Sequence, residues 1–126
     1  DGVRPKRCPY ALKFIPIREI NRLNISSQVN QEIKYMKMLR GCKNLVQLIN
    51  VCHLATDVVF LMEMAGTATL AHFLKLYSDQ RRVFSDAQIA SIGGKIFTAL
   101  RFMHDKDLMH RDLKPANVAV SHDGHC

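Results

Sequence analysis

Three side chains in the stretch HRDLKPAN, residues 110–117, carry complementary chemistry at short spacing. Asp112 is a carboxylate that can accept a proton from an incoming hydroxyl. Lys114, two residues on, brings a positive charge able to neutralise a transferring phosphate. Asn117, five residues after Asp112, offers an amide oxygen, a hard neutral ligand suited to Mg²⁺. Pro115 stiffens the segment between them. Phosphoryl transfer asks a protein for positioning and charge neutralisation more than for covalent chemistry, and these residue types supply both. A capped surface turn accounts for Asp112 taken alone. It does not account for eight ordered residues that run into the apolar VAV at 118–120, which reads as a strand.

The elements that must position these groups can be read from periodicity and punctuation. CPYALKFI (8–15) predicts a strand, with Pro9 near its start where a missing N–H is tolerated. Tyr10, Leu12 and Phe14 alternate with Ala11, Lys13 and Ile15, so Lys13 shares a face with Ala11. A helix is expected from about Ser27 to Arg40, capped by Ser26 or Ser27 and stopped by Gly41, with Val29, Ile33, Met36 and Leu39 as its apolar stripe. Glu32 lies at the edge of that stripe. Two strands follow, 45–52 and 57–63, joined by a turn around Thr56 and Asp57. AGTAT (65–69) reads as a linker, LAHFLKLY as a short helix, and SDAQ (85–88) as a capping box opening a helix to about His104. Ile89, Ile92, Ile96, Leu100 and Met103 form the stripe expected to be buried along it.

The 126 residues make one domain's worth of chain, which folding would bury by roughly two-thirds of its surface. Composition is that of a globular protein, and no apolar run approaches the roughly 20 residues a bilayer requires, so no membrane contact is expected. The opening DGVRPKR does not read as a signal peptide, and the lack of an initiator Met suggests a part of a longer chain. A net charge of +7, with Arg4, Lys6, Arg7, Lys13, Arg18 and Arg22 early, favours polyanions; no interleaved aromatic pattern points to nucleic acid. Cys8, Cys42, Cys52 and Cys126 form no CxxC pair and read as reduced thiols, hence an intracellular protein of cytoplasm or nucleus. His122, His125 and Cys126 in HDGHC could hold zinc only with a second ligand pair, and Asp123-Gly124 reads better as a hairpin turn.

HRDLKPAN resembles the catalytic loop of eukaryotic protein kinases, H-R-D-L-x-x-x-N. Around it, YALK (10–13) resembles the family's third-strand V-A-I-K element, and Glu32, 19 residues after Lys13, matches the glutamate that pairs with that lysine. The resemblance covers nearly the whole chain and implies an α+β, protein-kinase-like bilobal fold, incomplete. Residues 1–62 would be the β-rich N-lobe without its Gly-rich loop, 63–67 the hinge, and 68–126 the start of the helical C-lobe. It further implies Asp112 as catalytic base, Lys114 and Asn117 as catalytic partners with Asn117 on Mg²⁺, and Lys13 on the ATP phosphates. Met62 would be the gatekeeper, the backbones of Glu63 and Ala65 would hold adenine, and Ala11, Leu70 and Ala119 would sandwich its ring. Met36, Leu48 and His110 would join a hydrophobic spine, and Arg111 would answer a phosphate set by an upstream activating kinase. D-L-K-P resembles the serine/threonine class, so the implied substrates are ATP and a protein bearing Ser or Thr.

Departures from the pattern limit the expectation. Only 12 residues precede Lys13, with Gly2 the sole glycine among them, too few for the family's Gly-rich loop. Nine residues follow Asn117, ending short of the D-F-G aspartate. Thr69 stands near where many members place an acidic residue against the ribose. The chain by itself is therefore expected to turn over poorly or not at all and to aggregate. Alternatives are an inactive truncated kinase acting as a binding module and a small-molecule kinase, against which DLKPAN argues.

Overall fold

The computed structural model describes residues 10–120, and among them the chain divides into two compact units. One comprises residues up to Gly41 together with Val46–Met64; the other comprises Cys42–Leu45 and the residues from Ala65 onward. Strands and helices both occur, as the α+β expectation requires.

The first unit is built on an antiparallel sheet of β1 (Tyr10–Pro16), β2 (Leu48–His53) and β3 (Asp57–Glu63), in the order β1-β3-β2. β3 is central, and its DVVFLME run has Val58, Val59 and Phe60 buried. Strand alternation sends Ala11, Lys13 and Ile15 to one face with their partners Met62, Phe60 and Val58. The helix α2 (Ser26–Met38) contributes Val29, with Ile33 and Met36 packed against a core of Ile20, Val29, Leu48, Val58 and Phe60. That cluster explains the placement of α2 better than propensity does, since a helix of 13 residues is marginal until its apolar face is covered. On the opposite face of β1, Tyr10, Leu12 and Phe14 are all exposed.

Several expectations need correction here. The strand expected over 8–15 is described from Tyr10; Cys8 and Pro9 lie outside the described residues. Ser26 and Ser27 do not cap α2: Ile25 stands at the cap position without a side-chain bond, and Ser27 Oγ turns to Gln28 Oε1 instead (2.8 Å). The helix ends at Met38 rather than Arg40. Gly41, at φ +92°, supplies the left-handed turn that follows. β2 starts at Leu48, because Leu45 N–H closes a turn onto Cys42 O and Arg40 Nη2 reaches the Leu48 carbonyl (3.3 Å). A helix not anticipated, α1 (Ile17–Leu23), fills the segment after β1; Asn24 ends it in the left-handed region at φ 50°. β3, by contrast, has the bounds expected for it, 57–63, with Asp57 its first residue.

The second unit holds β4 (Ala68–Thr69), α3 (Leu70–Asp79), α4 (Asp86–His104), a 3₁₀ turn (Pro115–Asn117) and β5 (Ala119–Val120). Part of the expected linker is thus a strand: β4 pairs antiparallel with β5, Ala68 opposite Val120 and Thr69 opposite Ala119. Thr69 also caps α3 by accepting the His72 N–H (3.3 Å). The capping box at Ser85 forms in both directions, with Gln88 N–H donating to Ser85 Oγ and Ser85 N–H donating to Gln88 Oε1. The stripe of α4 is only partly as expected. Met103 is buried, Ile92, Ile96 and Leu100 are half-buried, Ile89 is exposed, and Ala99 is the buried residue the larger side chains overshadowed. No helix among the described residues is long and apolar enough to cross a membrane. The HDGHC tail lies outside the described residues, and among those described no group of His, Cys, Asp or Glu is gathered for a metal ion.

Candidate functional site

Each unit brings together one set of the residues singled out by their chemistry. In the first, Lys13 extends from β1 and its Nζ donates to Glu32 Oε1 on α2 at 2.6 Å. The pair joins residues 19 apart in sequence, so the contact depends on α2 lying across the sheet, which the Val29, Ile33 and Met36 packing provides. Both side chains remain more than two-fifths exposed. An ion pair at such exposure contributes about 0–1 kcal/mol, so its value lies in placing an ammonium rather than in stability. Beneath it, Phe60, directly opposite Lys13 in the β1–β3 register, presents its ring 5.4 Å from Nζ. Ala11 pairs with Met62, and Met36 and Leu48 belong to the same core. Glu63 is tied to Gln47 twice, its N–H donating to the Gln47 carbonyl and its Oε1 accepting the Gln47 N–H, each at 3.0 Å.

In the second unit, Asp112, Lys114 and Asn117 converge on a single carboxylate. Lys114 Nζ lies 2.9 Å from Asp112 Oδ2. Asn117 Nδ2 donates to the same oxygen (3.0 Å) and to the Asp112 main-chain carbonyl (2.8 Å). The local backbone makes this possible. Arg111 adopts φ 62°, a left-handed conformation uncommon for a side-chain-bearing residue, and Asp112 N–H closes onto His110 O. Pro115 then opens the 3₁₀ turn that brings Asn117 back, with Asn117 N–H bonded to Lys114 O at 2.8 Å. The bonds from Lys114 and then Asn117 hold the Asp112 carboxyl below its usual value of 3.8, with burial opposing and the charges of Lys114 and His110 assisting. His110 Nδ1 is buried with no hydrogen-bond partner among the described residues.

The strand pair at the loop's exit aligns two further candidates: Leu70 N–H bonds Val118 O at 2.8 Å, and Ala119 sits opposite Thr69, so Leu70 and Ala119 are neighbours. Ala65 belongs to the same unit and is half-buried.

The donor set around Asp112 fits a Mg²⁺-bound phosphate. Both groups facing the Asn117 amide nitrogen are acceptors, which commits the nitrogen inward and leaves Oδ1 without a partner among the described residues. The sequence reading did not single out Phe60. A phenylalanine in the apolar run VVFLM carries no signal beyond core packing; only the register, which sets Lys13 opposite it, gives it another meaning.

The family described as the protein kinase domain matches residues 2–126. A probable cAMP-dependent protein kinase catalytic subunit of Encephalitozoon cuniculi is 30% identical over 126 residues, covering 98% of this chain and 38% of that protein. An Aurora kinase of the same organism is 28% identical over 120 residues, covering 95% of this chain and 43% of the relative. A MAP kinase-interacting serine/threonine-protein kinase of Caenorhabditis elegans is 30% identical over 117 residues, 92% of this chain and 16% of the relative. The chain thus spans less than half the length of each of these relatives, and within that span it belongs to the protein kinase domain family.

Proposed function

We propose that this chain carries the central part of a serine/threonine protein kinase, which transfers the γ-phosphoryl group of ATP to a Ser or Thr hydroxyl of a protein. The observation that carries the reading is the convergence of Lys114 Nζ and Asn117 Nδ2 on Asp112 Oδ2 within 3.0 Å. Two polar side chains held on one exposed carboxylate serve no packing purpose, yet the three together match what phosphoryl transfer requires.

In this reading Asp112 orients the acceptor hydroxyl and takes its proton as the new O–P bond forms and the bond to the departing β-phosphate oxygen breaks. A carboxylate held more acidic than usual is a weaker base. That suits a loose transition state, in which the hydroxyl needs orientation first and proton removal late. Lys114 offsets charge on the transferring group, and Asn117 Oδ1 would hold Mg²⁺, which would supply charge neutralisation to the phosphates. Lys13, steadied by Glu32, takes the α- and β-phosphates. Ala11, Met62, Glu63, Ala65, Leu70 and Ala119 keep the adenine-side assignments that the resemblance implies, with Met62 as gatekeeper. The 126 residues by themselves, which include no D-F-G aspartate, are assigned weak or absent turnover, and the activity is proposed for the full gene product; an upstream activating kinase acting through Arg111 fits the same reading.

Phosphoamino-acid analysis tests the class. The full gene product, incubated with γ-labelled ATP, Mg²⁺ and a mixed protein acceptor, is expected to yield phosphoserine and phosphothreonine. Phosphotyrosine as the main product, or label only on small molecules, would overturn the assignment.

A further inference from the structure

We propose that Phe60 is a positioning residue for Lys13, its ring face holding the ammonium where Glu32 and a nucleotide phosphate can share it. The inference rests on the phosphate-binding reading of Lys13 for its purpose, and on geometry for its substance. Phe60 is fully buried, at 0% exposure, in the middle of the central strand. It lies directly opposite Lys13 in the β1–β3 register, so the two side chains leave the sheet on the same face. Lys13 Nζ lies over the ring at 5.4 Å from its centroid, inside the range of a cation–π contact, while the same nitrogen donates to Glu32 Oε1 at 2.6 Å.

The need for such a support follows from exposure. The lysine and glutamate side chains are 45% and 42% exposed, so each keeps much of its rotamer freedom and water competes for the bond. A flexible four-carbon stem fixed only by a solvent-facing partner would spend its time among several directions. The Phe60 ring, by contrast, is fully buried in the core cluster that it forms with Ile20, Val29, Leu48 and Val58, and close packing there fixes its place. Its negative π-face is therefore a fixed electrostatic feature, and the ammonium above it has one preferred direction. Leucine or methionine at position 60 could fill the core, but neither would offer that face.

Graded fluorination of the ring separates this role from packing, because fluorine withdraws π-density while changing volume little. The full gene product is prepared with 4-fluoro-, 3,5-difluoro- and 3,4,5-trifluorophenylalanine at position 60, each with Lys13 and with Lys13→Met. The unfolding equilibrium of each is measured with denaturant, alongside the Lys13 ε-methylene proton shift. The expected result is a stepwise rise in the unfolding constant, about two- to fivefold across the series with Lys13 present and absent in Lys13→Met. The ε-protons should lie upfield and return toward random-coil positions in Phe60→Leu. Equal fluorine dependence in both backgrounds, or none, overturns the inference and leaves the phosphotransfer reading untouched. Failure of Mg²⁺·ATP to bind the full gene product overturns that reading whatever the fluorine series gives.

Discussion

Replacing Gly66 by alanine tests whether the segment before β4 and the strand after the Asp112–Asn117 turn are as closely joined as the structure has them. A Cβ at Gly66 would lie 2.6 Å from the Val120 carbonyl oxygen, 2.8 Å from its carbon and 3.0 Å from its nitrogen. All three are backbone atoms, so no rotamer change relieves the contact. Ordinary contact begins at 3.4 Å, so β5 or residues 65–67 must yield by about 0.8 Å. Overpacking of this kind costs about 1–3 kcal/mol. Alanine also removes freedom from the unfolded chain, returning about 0.4–1 kcal/mol. Since the clash is against main chain, the steric part wins, and the net loss should be about 0.5–2 kcal/mol. At roughly 4 °C per kcal/mol for a chain of this size, the melting temperature falls by about 2–8 °C. Because the β4–β5 ladder has only two residues on each strand, yielding there disturbs the Leu70–Val118 bond and the turn that carries Asn117. The assay is thermal and urea unfolding, with amide exchange at Val118, Ala119 and Val120 as the local readout. Gly94→Ala is the control: it lies inside α4 with nothing within 4 Å of its added Cβ, so alanine there should stabilise by about 0.5–1 kcal/mol. If both changes move the midpoint in the same direction, or Gly66→Ala leaves exchange at β5 unchanged, the close approach is refuted.

Three further outcomes follow from the same geometry. Titrating the Asp112 carboxyl by NMR should give a midpoint below 3.8 that moves up toward that value in Lys114→Met; a midpoint at or above 3.8 in the wild type would contradict the Lys114 and Asn117 bonds. Because the folded-state value is the depressed one, the contribution of Asp112 to stability is present above its unfolded value and is lost as pH falls through the folded one. Leu48→Ala, at a core position 2% exposed, should cost about 2–5 kcal/mol in denaturant unfolding, and a loss under 1 kcal/mol would show the first unit's core to be misplaced. Ser85→Ala should remove the half of the capping box that Ser85 Oγ accepts, leaving the bond from its N–H to Gln88 Oε1, at a cost of about 1 kcal/mol, whereas an unchanged midpoint would mean that the start of α4 is held by other contacts.

What could be read from residues alone depended on whether the signal was local. The capping box at Ser85 and Gln88 is a four-residue pattern, and it formed as expected. Lys13 and Glu32, each ordinary alone, meet as the resemblance to protein kinases implied, on a strand and a helix that were both legible from period 2 and period 3.6. By contrast α1 offers only Ile17 and Ile20 on one face over seven residues, too short for periodicity to register. Ile89 shows a different limit: periodicity says which face of a helix is apolar, not how far along its length that face is covered. The serines that open α2 match the preference for a cap, but the helix starts one residue earlier than that preference demands, and Ile25 takes the position. Phe60 required the strand register, a long-range property that no window of sequence contains.

The central claim is that Asp112, gathered with Lys114 and Asn117, serves phosphoryl transfer. The most direct test compares the full gene product with its Asp112→Asn form, measuring kcat for transfer from γ-labelled ATP together with ATP affinity. With Asp112 as the base, kcat falls by about 10²–10⁴, as loss of a general base does, while ATP affinity stays within a few fold. A kcat that survives the substitution would contradict that role.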